Sequence, residues 1–259
     1  MNVLHNDIVE GLRDSGIEAG DTVLLHCSLK SIGFVEGGAD TVIDAFVEVL
    51  GEDGTLLMPS FQHGSEFFLV DRGCRFDVRT SPSEVGKVTE TFRKRPNVIR
   101  SLNPTHCTAG VGKMAGKILS GHEFCPVSCG WGSPYHKICV NRGKIVLLGV
   151  GHNSNTTLHF VENVSGAPTV CPIKYKAIVV DNYGQEIEVG TYPHMPSLPR
   201  KYTKVEKLLI EAGYQTSAKV GNAECKVIKA HEMSELLCAV IRENPMFLID
   251  AFTPSVEDY

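Results

Sequence analysis

The stretch Asn155-Thr156-Thr157-Leu158-His159-Phe160-Val161-Glu162 holds the residues best suited to proton chemistry. On a helix, His159 and Glu162 fall at i and i+3 on one face, within mutual reach. A carboxylate beside an imidazole fixes its tautomer and raises its basicity, which is what a general base needs. Asn155 and Thr156 stand at the helix start, just past the buried-strand pattern Lys144–Val150 (KIVLLGV). Sites in α/β proteins gather at that end of a strand. The same spacing also fits a surface helix with an ordinary ion pair, or a satisfied core histidine, and the residues alone leave this open.

A second candidate is HCSLKSIGFVEGGADTVIDAF, residues 26–46, a passage from strand to helix. Turn N–H groups, the nearby helix N-terminus and Lys30 could together hold phosphates. The alternative is a polar loop that uses Gly37 and Gly38 for its turn, and there is no Walker pattern. A third is Asn103-Pro104-Thr105-His106, where His106 is either a ligand-binding or a turn residue. His122, Cys125, Cys129, His136 and Cys139 cluster within eighteen positions. Cys125 and Cys129 have no second matching pair, so no metal is expected. Gly149-Val150-Gly151 lacks the later glycine of a dinucleotide loop, and no G-x-S-x-G elbow occurs.

The elements that must position these residues alternate. Leu4, Ile8 and Leu12 mark a helix that stops at Gly16; Thr22–Cys27 reads as a buried strand; Ala39–Leu50 as an amphipathic helix; Gly54–Pro59 as a strand. Residues 61–79 read as a long flap, and Ser81-Pro82-Ser83-Glu84 as a capped helix start. Lys174–Val180 and Gln185–Val189 flank Asp181-Asn182-Tyr183-Gly184 as a β-hairpin. Helices over Tyr202–Ala212 and His231–Glu243 flank a strand near Cys225–Ile228. The expected fold is α/β: a central mixed sheet flanked by helices, with a hairpin subdomain at about 171–192 after the histidine-bearing helix. One domain over 1–259 is expected.

The 259 residues are 42% hydrophobic with a net charge of −5, which gives no basic footprint for nucleic acid. The N-terminus has no apolar signal core and no apolar run reaches transmembrane length, so a cytoplasmic protein without a membrane role is expected. Nine cysteines without a signal read as reduced, buried thiols.

Taken together and in order, HCSLKSIGFVEGGADTVIDAF, GTLLMPSF, FDVRTSPSEVGKVTETFRKRPNVIRSLNPTHCTAGVG, SPYHKIC, KIVLLGVGHNSNTTLHFVE and KVGNAECKVIKA resemble the aminoglycoside 3-N-acetyltransferase family, from about residue 4 to 245. The resemblance implies an acyltransferase fold distinct from the GNAT enzymes, moving acetyl from acetyl-CoA to the 3-amino group of an aminoglycoside antibiotic. It implies that Ser28, Leu29, Lys30, Ser31 and Val35 cradle the pantetheine and pyrophosphate, with Thr105 and His106 near the thioester. His159 is then the base for direct attack, with Glu162 and Glu188 as carboxylate partners and Thr157 or Thr105 as oxyanion donors. Asp77, Asn155 and Thr156 would meet the amine. A homodimer stays open. Gly190 stands where a second acid of the family would be expected, and the loop SFQHGSEF after Pro59 lacks the family's tryptophan and acid. An acid-poor pocket suits a polycation less, so another small amine is the alternative: an aminophosphonate, an amino sugar or a biosynthetic intermediate. A metal-dependent hydrolase built on the His/Cys-rich middle is a further alternative.

Overall fold

The computed structural model describes residues 2–196 and 198–250. In chain order the helices and strands are α1 (His5–Asp14), β1 (Thr22–Cys27), α2 (Leu29–Ile32), α3 (Ala39–Leu50), β2 (Thr55–Pro59), α4 (Glu66–Asp71), β3 (Arg75–Asp77), α5 (Lys87–Phe92), β4 (Ile99–Arg100) and β5 (Thr108–Gly112). There follow α6 (Ala115–Leu119), α7 (Pro134–Val140), β6 (Lys144–Leu148), α8 (Thr157–Ser165), β7 (Tyr175–Val180), β8 (Glu186–Thr191), α9 (Lys204–Glu211), β9 (Gln215–Val220), β10 (Ala223–Lys229) and α10 (Ala230–Glu243).

Seven strands form a mixed sheet in the order β4-β5-β2-β1-β6-β10-β9. Its centre is parallel: β1 pairs with β2 on one side and β6 on the other, while β5 and β10 run antiparallel outside them. Parallel strands are covered on both faces and therefore read as unbroken apolar runs. TVLLHC and KIVLL do so, and their alternate residues enter opposite cores. Val23, Leu25, Val146 and Leu148 pack on the side of α1, α3 and α5. Leu24, Ile145 and Leu147 pack on the side of α7, α8 and α10. The chain leaves β1 towards β2 on one flank and reaches β6 on the other, so a crevice opens at the carboxyl ends of these strands. The α/β reading holds, and the hairpin of β7 and β8 is present, joined by β3 in a separate three-stranded sheet.

Three local expectations fail for identifiable reasons. The flap over 61–79 contains α4 and β3, because Phe76 and Val78 are drawn into a small core with Val179 and Val189. The helix expected from Ser81 begins only at Lys87. Glu84 spends its carboxylate on the His63 N–H (2.9 Å) and the Ser83 N–H goes to Glu90 (2.7 Å), so no capping box closes. The strand near Cys225 is one arm of a hairpin whose other arm, β9, is too polar to announce itself.

Arg100 fastens the flap to the sheet. Its side chain is buried, donates to the carbonyls of Val78 (3.1 Å), Ser81 (2.7 Å) and Ser60 (2.6 Å), and stacks 4.6 Å above the Phe76 ring. Truncating it leaves three carbonyls without their donor, those of Val78 and Ser60 buried and that of Ser81 half-buried. Arg100→Met should therefore lower the unfolding free energy by about 3 kcal/mol, measured by urea denaturation. An unchanged midpoint would show that water satisfies those carbonyls without help.

Candidate active site

His159 lies in the first turn of α8, delivered there by the turn Gly149–Asn155 that leaves the end of β6. Asn155 shapes this entry. Its Oδ1 accepts the Thr157 N–H (3.2 Å) and its Nδ2 meets the Met233 sulfur (3.7 Å). One turn further on, Glu162 is wholly buried with its Oε2 3.2 Å from His159 Nδ1. Tyr202, from the segment before α9, donates its hydroxyl to the same Oε2 (2.9 Å) and stands 3.0 Å from His159 Nδ1. Arg200 Nε lies 3.4 Å from Glu162 Oε1. These partners engage Nδ1, so the tautomer they select leaves the Nε2 lone pair free. Burial pulls His159 down to about 4, helped by His194 and opposed by Glu162. Burial alone would raise Glu162, but its bond to His159, Arg200 and the Tyr202 hydroxyl together hold it below the usual carboxylate range. Burial also raises the Tyr202 phenol, which stays a donor. At neutral pH the site is thus a neutral imidazole backed by a carboxylate.

A second network lies beside the first. Glu66, at the start of α4, is buried and accepts the Thr105 hydroxyl (2.7 Å) and the His194 N–H (2.8 Å). His194 Nδ1 lies 2.6 Å from its Oε2, and His106 Nδ1 3.4 Å from its Oε1. Burial would raise this carboxyl, yet His106 and His194 keep it well below the usual range. Asn103 Oδ1 accepts the N–H groups of Thr105 (3.0 Å) and His106 (2.8 Å), so the turn that sequence spacing flagged is real and preorganised. The His159 and His194 rings lie 4.3 Å apart, and His106 and His159 6.0 Å apart.

Two cavities meet at His159. The smaller, about 250 Å³, is walled by Glu66, Thr105, His106, His194, Met195 and Arg200 among others. The larger, about 620 Å³, runs past the ends of β1 and β2 and is lined by Cys27, Phe61, Glu84, Asn153, Ser154 and Thr156 among others. His106 faces both.

Several expected site residues lie elsewhere. Glu188 sits on the exposed hairpin, paired with Lys176 (2.9 Å), away from both cavities, because the β8 register points it across the strand pair. Asp77 is tied to Arg79 (2.7 Å) and lines neither cavity. Asn155 and Thr157 are buried and hold the helix entry rather than face the crevice. Val35 is in the core, bridged to Val3. Leu29 packs against that core, and Ser28–Ser31 is a helical turn rather than an open loop. Ser28 and Ser31 bond each other (2.9 Å), and Ser31 borders a shallow depression with Gly149 and Gly151. Lys30 is exposed at this turn. Thr156, Thr105 and His106 do reach the cavities.

The loop after Pro59 is not without acid, since it ends in Glu66. Sequence spacing also missed His194, Arg200 and Tyr202, which lie 35, 41 and 43 positions beyond His159 and come back only through the tertiary fold.

Glu66, His106 and His194 could in principle hold a metal, as their ligating atoms lie within 4.8 Å of one another. Their lone pairs are largely committed: Glu66 to the donors above, His194 Nε2 to Asn163 (3.1 Å), His106 Nδ1 to Ser128 (2.9 Å). His122, from the His/Cys-rich middle, has both ring nitrogens bonded, to Ser101 Oγ (2.8 Å) and the Ser128 carbonyl (2.7 Å). All nine cysteines are free thiols.

Residues 24–242 match the model of the aminoglycoside 3-N-acetyltransferase family. The chain is 29% identical over 245 residues to aminoglycoside N(3)-acetyltransferase IV from Salmonella sp., covering 94% of this chain and 89% of that protein. It superposes with a TM-score of 0.83 on a mutant of aminoglycoside acetyltransferase AAC(3)-IVa in complex with gentamicin, at 25% identity, covering 97% of this chain and 93% of the other. The fold also matches AAC-IIIb, solved as a binary complex with CoASH, with a TM-score of 0.81 at 20% identity, covering 94% and 97% of the two chains.

The electrostatics of the first network can be tested directly. Glu162 holds the His159 imidazolium up against burial, so Glu162→Gln should move the His159 pKa further below about 4, followed by NMR titration of the ring. An unchanged value would mean that Glu162 does not couple to His159.

Proposed function

The chain belongs to the aminoglycoside 3-N-acetyltransferase family, and from that premise we propose that it carries acetyl from acetyl-CoA to the amine of a small acceptor, with His159 as general base. The observation that carries this reading is the place of His159: a neutral imidazole, backed by Glu162, where the two cavities join.

In this reading the larger cavity takes the acetyl-bearing arm of the cosubstrate and the smaller takes the acceptor. Ser31 and the Gly149–Gly151 turn border a shallow depression that shares Val150 with the larger cavity, and the rest of the cosubstrate would leave that way. The amine nitrogen attacks the thioester carbonyl carbon while His159 Nε2 removes its proton. Glu162 stabilises the imidazolium that forms, as it cannot itself leave its hydrogen bonds. The tetrahedral adduct then expels the thiolate, which takes the proton from His159. The oxyanion needs donors. The Thr105 hydroxyl is committed to Glu66 and Thr157 is buried, so backbone N–H groups remain for that role. Direct attack is favoured over a cysteine intermediate. Cys27, the thiol on the larger cavity, is pushed up to about 12 by burial and by Cys225, and stays protonated. The family's named acceptor is an aminoglycoside. Among the described residues no helix is long and apolar enough to cross a membrane.

His159→Ala should lower kcat by about 10²- to 10⁴-fold in a thiol-release assay with acetyl-CoA, while CoA affinity by calorimetry stays unchanged. Because the base works unprotonated, kcat/KM should fall as pH drops through the His159 value near 4, not near 6.5. Equal turnover by wild type and His159→Ala would remove His159 from the mechanism.

A further inference from the structure

We propose that His26 is a further catalytic residue, whose ring N–H donates a hydrogen bond to the thioester carbonyl oxygen as that oxygen takes on negative charge. This rests on the acyl-transfer reading and adds a side-chain donor to the backbone N–H groups available to the oxyanion.

His26 stands next to the end of β1 and pairs with Leu147 of β6, the strand whose exit turn leads to α8. Side chains along a strand alternate between faces, so His26 shares the face of Leu24. Leu24 packs in one core with Leu158 and Val161 of α8. The imidazole is therefore carried to the end of the sheet on the side that α8 covers. His26 and His159 both line the larger cavity, together with Thr156 at the start of α8.

The other buried imidazoles have partners. His106 meets Ser128 (2.9 Å), His122 meets Ser101 (2.8 Å), His152 meets Gln215 (2.7 Å) and His194 meets Asn163 (3.1 Å). His26 is buried too, but its Nε2 finds no hydrogen-bond partner among the described residues. A buried polar group in that position is disfavoured, because it has lost water and gained no bond in exchange. Such a group persists where a ligand completes it. Burial also pushes the imidazole down to about 3, so it is uncharged at neutral pH. A neutral imidazole has one N–H and one lone pair, and the partner it meets selects the tautomer. Burial is the one influence on its protonation, so His26 has no counterpart of the Glu162 that supports an imidazolium on His159. Its chemistry is that of a neutral donor.

In the larger cavity the acetyl group brings that donor a carbonyl. The amine nitrogen bonds to the thioester carbon and the C=O electron pair moves onto oxygen, while the amine proton goes to His159. The His26 N–H bonds to that oxygen and keeps its proton. When the C–S bond breaks, the pair returns to re-form C=O in the amide, and the thiolate takes the proton from His159. A fixed donor shielded from water gains strength as the oxygen becomes anionic, so it stabilises the transition state more than the bound thioester.

The test uses the full chain with acetyl-CoA and gentamicin: thiol release for turnover, calorimetry for CoA binding and urea denaturation for folding. His26→Phe keeps a planar ring and removes the N–H. Expected are a kcat lower by about 10²- to 10³-fold and an acetyl-CoA KM within about threefold of wild type. The CoA Kd should not move, since CoA carries no acetyl carbonyl. The urea midpoint should be no lower than wild type, because an unpaired polar atom has been removed. His26→Gln restores a neutral N–H and should run at least about tenfold faster than His26→Phe. His26→Leu replaces the phenylalanine variant should that one fold poorly. A folded apolar variant with kcat within about threefold of wild type overturns the proposal, and so does a His26→Gln no faster than the apolar variant. Absence of thiol release by wild type with gentamicin, kanamycin and glucosamine alike overturns the acyl-transfer reading instead, which separates the two failures.

Discussion

A carboxylate with no exposed surface, Glu162, is the constraint around which the crevice is built. A buried charge of this kind persists only when its oxygens are met by donors and opposite charge. The donors are His159, from one turn earlier on α8, and Tyr202, and the opposite charge is Arg200, the last two both from the approach to α9. Satisfying Glu162 therefore fixes three things at once. It sets the His159 tautomer, it pins the 198–202 segment against α8, and it places Arg200 on the wall of the small cavity. Remove the charge and each of these loses its reason to be where it is.

The sheet explains why this carboxylate can be buried beside an open crevice at all. The parallel centre β2-β1-β6 is sealed on both faces by apolar side chains, so the strands end abruptly where their loops turn outward. Loops from β1 and β6 diverge at that edge, and the gap between them is the larger cavity. Arg100 and the Glu66 network do the complementary task on the far wall, holding the flap and the Asn103–His106 turn against the sheet. Each wall of the crevice is thus held by a buried polar group whose partners are mostly backbone or fixed side chains.

Much of this was legible in the sequence, and the part that was not has a common cause. Unbroken apolar runs such as KIVLL announced the parallel strands, and i, i+3 spacing announced the His159–Glu162 pair, because both patterns are local. Asn103-Pro104-Thr105-His106 announced a turn and delivered one. The partners that finish the site are long-range: Tyr202 and His194 carry no local pattern that ties them to His159, and Glu66 lies in a segment whose weak periodicity concealed a helix and a strand. Glu188 shows the reverse error. A plausible position along the chain was undone by the strand register, since a side chain's direction in a sheet changes with every residue.

The two carboxylates of the crevice are neutralised by different means, and the difference bears on how a proton could move. Glu66 is quenched by hydrogen bonds from Thr105, the His194 backbone and two imidazoles, and so acts as a structural anchor with little capacity left over. Glu162 shares a guanidinium and a phenol, and still faces the ring of the proposed base. His159 then feels two opposed influences: burial and the nearby His194 ring push the proton off, while Glu162 draws it on. An imidazolium formed in that balance is stabilised enough to be reached during attack and unstable enough not to persist. In acyl transfer to an amine, the same proton is needed a moment later by the departing thiolate. A base whose charged form is held only loosely is suited to give it back, and the pairing of a buried carboxylate with a crowded cluster of imidazoles supplies that looseness.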